Sequence, residues 1–371
     1  MKPIKIACVG DIMPGGALHG RNDGYLSGEI ARLLDTADLR VGTLECAIGD
    51  QPSFDPEKMK RKADVIYAPN ADLLKLTHLR IDCVSLANNH AFDLGVDGLT
   101  NTIARLNELG IAHCGAGRNL AEASAPAVFN IRGHRIAFLA FCDYRETTVG
   151  YVPMATESSP GMNPMYEEHV KHVLRENRPK FDYLFVMLHW GMEHTFFPIP
   201  PMKQFAAMCI AEGVDGVIGG HTHRIQPVVS IKHKPVFYSL GNFLFPDRYI
   251  TKPRSTFYPA PDTDTSKWAV TDEYPYVEEP TFKIWKPLAR IGMIGMLTLT
   301  DKQISASHVA CRISRENTLE ICPAKKAMGT KPALVLNLAC CLVNIPCYRS
   351  VWHVLQQINK ARLALLHILP R

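Results

Sequence analysis

A chain of 371 residues, 47% hydrophobic and 21% charged, has room for one large α/β domain or two smaller ones with a sizeable core. Its 41 Lys and Arg against 36 Asp and Glu leave a formal charge of +5, part of it in Lys325, Lys326, Lys331, Arg349, Lys360, Arg362 and Arg371 near the end. So mild a basic bias leaves no footprint for nucleic acid, and eleven cysteines without a C-x-x-C spacing point to reduced, buried thiols and away from a disulfide framework.

The chain opens on a strand-like run, residues 4–9, with no leader or anchor before it. The expectation is therefore a cytoplasmic protein, with peripheral membrane association left open. Asp11 follows that run, as either a helix N-cap or a side chain aimed out of the sheet's carboxyl edge. Glu45 ends a second run, 39–44, with the same two readings. Lys58, Lys60, Arg61 and Lys62 form a local basic cluster, read as solvated surface. A third buried run, 81–86, leads into Asn88-Asn89-His90 and then a helical pattern of Val96, Leu99, Ile103, Leu106 and Leu109. Asn-Asn-His at such a junction is either a set of turn formers or a ligand beside a substrate-reaching histidine.

Residues 135–141 read as another strand and 165–177 as a helix ended by Pro179. The apolar run 183–188 delivers His189, a helix spans about 202–213, and the run 216–220 delivers His221-Thr222-His223. Two further strands, 227–231 and 235–238, lead to a loop at 239–243 that is placed to line a site. Residues 251–287, studded with prolines and aromatics, read as a long irregular insertion: a lid or substrate wall, or a poorly ordered loop. A hairpin at 292–300 and 303–312 closes the sheet. The tail, 323–371, is an apolar and basic helical appendage. Its stretch 333–347 is too short to span a membrane and either docks on a surface or packs on its own domain. Cys340, Cys341, Cys347 and His353 there are a zinc cluster or, the favoured reading, core packing.

Asp11, Glu45, Asn89, His90, His189, His221 and His223 all come after apolar strands, so each is expected to project from one edge of one sheet. Carboxylates, an amide oxygen and imidazoles suit zinc, manganese or iron. Two close divalent ions activate a bridging water near neutral pH, a carboxylate such as Glu45 is suited to bridge them, and His90 can serve a leaving group.

The motifs Gly10-Asp11, Glu45, Ala87-Asn88-Asn89-His90-Ala91-Phe92-Asp93, His189-Trp190-Gly191-Met192-Glu193, Gly220-His221-Thr222-His223 and Tyr238-Ser239-Leu240-Gly241-Asn242-Phe243 occur together and in order. They resemble the CapA family of bacterial capsule (poly-γ-glutamate) synthesis proteins, which have a calcineurin-like metallophosphoesterase fold. The resemblance covers about residues 3–247, with a weaker tail to about 322. It implies an α/β fold, specifically a four-layered α/β/β/α sandwich over 1–322, ahead of the helical tail. It implies Asp11 and His223 as ligands of a first metal, His189, His221 and Asn89 as ligands of a second, Glu45 as the bridge, and His90 as the catalytic histidine. The cofactor implied is one or two divalent ions (Mn, Zn or Fe).

The wider phosphoesterase pattern begins Asp-x-His, and here Met13 stands in the third position, one imidazole short; His19 and Glu193 are the substitutes within reach in sequence. The function implied is a metal-dependent phosphoesterase-like hydrolase. Its partner would be a capsule or cell-envelope polymer or its phosphorylated precursor, within a possible membrane-associated synthesis complex. Two alternatives stand beside it: a non-catalytic accessory subunit of a synthase or exporter, and an amidase acting on poly-γ-glutamate.

Overall fold

A computed structural model describes residues 2–50, 53–61, 64–252, 255–273, 277–301 and 303–322, and beyond these only 338–339, 342–343, 348–350 and 352–353. Two large sheets carry the fold. The first runs in the order Leu319–Ile321, Ile304–Ile313, Ile291–Leu299, Ile4–Ile12, Leu39–Leu44, Cys83–Ser85, Ala112–Cys114, and Asn242–Leu244 joins the far end of Ile4–Ile12. From Ile4–Ile12 to Ala112–Cys114 the strands are parallel, and the expected hairpin Ile291–Leu299 with Ile304–Ile313 extends the sheet antiparallel. The second sheet runs Val228–Ile231, Lys234–Phe237, Gly216–Gly220, Tyr183–His189, His134–Cys142, Ala127–Ile131, again with a parallel centre.

Strands buried on both faces read as unbroken apolar runs, which is why Leu184–Val186–Leu188 and Phe185–Met187 are equally apolar. The two faces enter different cores. Ile136, Phe138, Ala140, Phe185 and Met187 join a core shared with Ile4, Ile6, Cys8 and Val41 of the first sheet. Ala137, Leu139, Phe141, Leu184, Val186 and Leu188 face Val170 and Leu174 of the helix Glu167–Asn177 and Met202, Ala206 and Cys209 of the helix Pro200–Ala211. Each such aliphatic or aromatic side chain contributes roughly 1.5–3 kcal/mol by leaving water. The molecule is thus a mixed α/β protein in which the two sheets share a core. Among the described residues all eight cysteines are buried and free, and no helix is long and apolar enough to cross a membrane.

Three expectations need correction. The strand-end residues come from two sheets, not one: Asp11, Glu45 and Asn89 leave the first sheet, and His189, His221 and His223 leave the second. Strand runs mark elements locally, while sheet membership depends on pairing between distant segments. Next, much of 251–287 is ordered. Arg248–Thr251, Ser255–Phe257, Thr281–Lys283 and Ala269–Thr271 pair into a small four-stranded sheet. Finally, Lys58 is not solvated: the helix Pro56–Lys60 turns it inward to 4% exposure. Cys340, Cys341 and Cys347 lie outside the described residues. Of the described tail, Ala339, Val343 and Tyr348 are buried, Val343 and Tyr348 within the second core, and the Tyr348 hydroxyl donates to the Pro198 carbonyl at 2.6 Å.

Candidate metal centre

The carboxyl ends of both sheets converge on one cluster. Asp11 lies at the end of Ile4–Ile12, Glu45 directly follows Leu39–Leu44, and Asn89 leaves the turn after Cys83–Ser85. His189 ends its strand, and His221 and His223 follow Gly216–Gly220. The backbone is strained where the histidines sit. His221 and His223 hold φ of +84° and +48°, a region that costs a non-glycine residue roughly 1–3 kcal/mol and collects at functional sites. Gly220 makes room for Asp11, because a Cβ there would lie 2.6 Å from Asp11 Oδ1.

Two ligand groups overlap at one residue. Donor atoms of Glu45, His189 and His221 lie within 4.8 Å of one another, and so do those of Asp11, Glu45 and His223. His189 Nε2 is 3.1 Å from His221 Nδ1, 3.4 Å from Glu45 Oε1 and 2.8 Å from Asn89 Oδ1, so Asn89 belongs to the first group. His223 Nε2 is 3.8 Å from Glu45 Oε1. The rings are held from behind. His223 Nδ1–H donates to Asn242 Oδ1 at 2.8 Å, and Asn242 Nδ2–H donates to the Ala289 carbonyl at 2.9 Å, which fixes the amide and leaves Nε2 of His223 as a lone pair. His221 Nε2–H donates to the Thr148 carbonyl at 2.9 Å, so its lone pair is on Nδ1.

The electrostatics of this cluster call for a cation. Both Glu45 oxygens and Asp11 Oδ1 are buried without a hydrogen-bond partner. Burial lifts Asp11 to about 7 against the His221 N–H bond that favours its charged form. Burial, then the Asp11 charge, raises Glu45 well above the carboxylate range. Burial holds His189 and His223 well below the usual imidazole value and His221 down to about 4, so all three are neutral at pH 7. Neutral imidazoles facing unpartnered buried carboxylates form the donor chemistry of a divalent metal site, and the residues present fit that group.

His90 stands beside this cluster in a buried triad. Its Nδ1–H donates to Asp93 Oδ2 at 2.7 Å, and Lys58 Nζ pairs with Asp93 Oδ1 and donates to the Asn89 carbonyl at 2.7 Å. Lys58 Nζ lies 3.3 Å from His90 Nδ1; burial and then this ammonium lower the His90 pKa. The cleft above has a volume of about 360 Å³ and is walled by Lys58, Asp64, His90, Tyr151, Glu193 and Trp285, among others. The Trp285 ring, two residues past the strand Thr281–Lys283, lies 5.0 Å from that of His223 and lines the cleft.

Met13 is buried and accepts from the Gly15 N–H at 3.2 Å; it brings no imidazole to the Asp11 group. Of the two substitutes, His19 belongs to neither ligand group among the described residues; its Nδ1 is 2.8 Å from Asp72 Oδ2. Glu193 does reach the cleft, at its rim with a side chain 40% exposed. Sequence reasoning missed Lys58 and the Thr148 carbonyl. No local signal marks either, since their partners lie 31–35 and 73 residues away. Asn242 was visible only as part of a loop.

Residues 5–247 match the family model described as "Bacterial capsule synthesis protein PGA_cap". The capsule biosynthesis protein CapA of Bacillus anthracis is 29% identical over 255 residues, covering 65% of this chain and 60% of that protein. The PGA biosynthesis protein CapA of Bacillus subtilis (strain 168) is 27% identical over 247 residues, covering 65% and 63%. A probable polyglutamine synthesis accessory protein of Mycobacterium tuberculosis is 30% identical over 223 residues, 57% of each. The match thus spans less than two thirds of these relatives' own lengths.

Proposed function

We propose that this chain, which belongs to the PGA_cap family of bacterial capsule synthesis proteins, is a metal-dependent phosphoesterase-like hydrolase that acts on a phosphorylated precursor in capsule or cell-envelope polymer synthesis. The observation that carries the reading is Glu45. One buried carboxylate, both oxygens unpartnered, is shared by two ligand groups. The helices outside the second sheet and the core between the sheets support a four-layered α/β/β/α arrangement.

Glu45, Asn89, His189 and His221 would hold one divalent ion (Mn, Zn or Fe), and Asp11, Glu45 and His223 the other. Bound there, such ions supply an activated water and neutralise charge on an attacked phosphate. The chain's own residues do the rest. Asp93 keeps the proton of His90 on Nδ1, leaving Nε2 as the atom that exchanges a proton or hydrogen bond with a substrate in the cleft. Lys58 fixes the Asn89 carbonyl and Asp93 together, so ligand and proton carrier are held by one ammonium. Trp285, Val149 and Tyr151 wall the cleft.

The test is phosphatase and phosphodiesterase activity on generic esters with Mn²⁺, for wild type and His90→Ala. The variant is expected to lose roughly 10²–10⁴-fold. A metal-loaded wild type inert on every phosphoester would overturn hydrolysis. The name of the Mycobacterium tuberculosis relative favours a second reading, a metal-binding accessory subunit of a polymer synthase. It is distinguished by loss of polymer output in cells from a protein that has no hydrolytic activity to lose.

A further inference from the structure

We infer that Asp143 is the positioning residue of one metal position, the one made by Glu45, His189 and His221; this deepens the metal reading above and rests on it. Asp143 is fully buried just past the strand His134–Cys142, whose Cys142 pairs in register with His189. Its backbone N–H donates to the His189 carbonyl at 2.9 Å. Its carboxylate gathers the next turn. Oδ1 accepts from Arg145 N–H at 3.1 Å and Nε–H at 2.8 Å, and Oδ2 accepts from the Thr148 hydroxyl at 2.9 Å and the second arm of Arg145 at 2.5 Å. Thr148 then offers its carbonyl to His221 Nε2 at 2.9 Å.

A carbonyl only accepts, so His221 carries its proton on Nε2 and turns its Nδ1 lone pair toward the cluster, 3.1 Å from His189 Nε2. Asp143 therefore ties down the strand end of His189 through its backbone N–H and, through its carboxylate and Thr148, the tautomer of His221. Its carboxylate bonds run to Arg145 and Thr148, and His223 is held by Asn242. Asp143 is not itself a ligand, because Arg145 already balances its charge and all its oxygens are engaged. The two metal positions thus have separate supports: Asp143 and Thr148 for one, Asn242 for the other.

The experiment titrates the full-length metal-free chain with Mn²⁺ and with Zn²⁺ against a chelating dye, for wild type, Asp143→Asn and Thr148→Val. Wild type is expected to fill two positions. Asp143→Asn should weaken one of them by roughly 10–100-fold and leave the other unchanged, the usual size of a supporting-shell loss. Thr148→Val removes the hydroxyl but keeps the carbonyl, so it should weaken the same position less; it carries the test if Asp143→Asn does not fold. Nitrogen NMR of His221 in the metal-free protein is a second readout. Wild type should show a single Nε2–H tautomer, and Asp143→Asn a mixture. Equal weakening of both positions, or no weakening with the His221 tautomer unchanged, overturns the assignment of Asp143. Absence of any metal binding by wild type overturns instead the reading on which it rests.

Discussion

Replacing Lys58 with methionine strips the counter-ion from an enclosed carboxylate. Lys58 is 4% exposed and Asp93 fully buried. Breaking a buried pair by removing one partner costs about 3–5 kcal/mol. Asp93 Oδ2 keeps two bonds, from Ile66 N–H at 2.6 Å and His90 Nδ1 at 2.7 Å, which sets the expectation at the lower end, about 3 kcal/mol. That is on the order of a hundredfold in the unfolding equilibrium. Adding Asp93→Asn removes the stranded charge, so the double variant should be less destabilised than the sum of the two singles by roughly 2 kcal/mol, a coupling of the size seen for groups in one network. Urea unfolding of the four proteins measures the cycle. The same ammonium is, after burial, the main influence holding His90 below its ordinary value. Lys58→Met should therefore raise the His90 pKa in an NMR titration. A Lys58→Met protein within about 0.5 kcal/mol of wild type, additive with Asp93→Asn, is the surface-lysine outcome and would refute the buried triad.

Two further outcomes follow from the cluster. Asn242→Leu leaves the His223 Nδ1–H without its acceptor, so affinity should fall roughly 10–100-fold at the Asp11–His223 position alone, read by the same dye competition. For metal-free protein the pH signs oppose one another. Asp11 and Glu45 have raised folded pKa values, so their contribution is lost as pH rises, through about 7 for Asp11. His189, His221 and His223 have lowered ones, so theirs is lost as pH falls from 6.5 towards about 4. Stability of the metal-free form should peak near pH 6.5–7, and saturating Mn²⁺ should flatten the alkaline limb by replacing protons on the carboxylates. Parallel melting profiles with and without metal would count against a carboxylate-bound ion.

Much of the site was legible because its chemistry-bearing residues terminate apolar runs. Asp11, Glu45, Asn89, His189, His221 and His223 sit where those runs end, and the structure brings all of them together. What the runs could not reveal is partnership across the fold. Their continuity comes from burial on both faces, which is the same in either sheet, so a single edge was expected where two meet. Lys58 looked solvated because it sits among Lys60, Arg61 and Lys62, while its counter-ion Asp93 lies 35 residues on. In 251–287 the prolines hid strands of three or four residues that gain stability by pairing with one another and, at Ser255, with Val65.

The measurement that bears most directly on the central claim is the metal content of purified protein after reconstitution with Mn²⁺ or Zn²⁺ and desalting, for wild type and Glu45→Ala. Because Glu45 belongs to both ligand groups, wild type should hold two ions per chain, and the single substitution should weaken both positions together. A wild type with a stoichiometry near zero, or a Glu45→Ala protein that keeps both ions at wild-type affinity, would contradict the account.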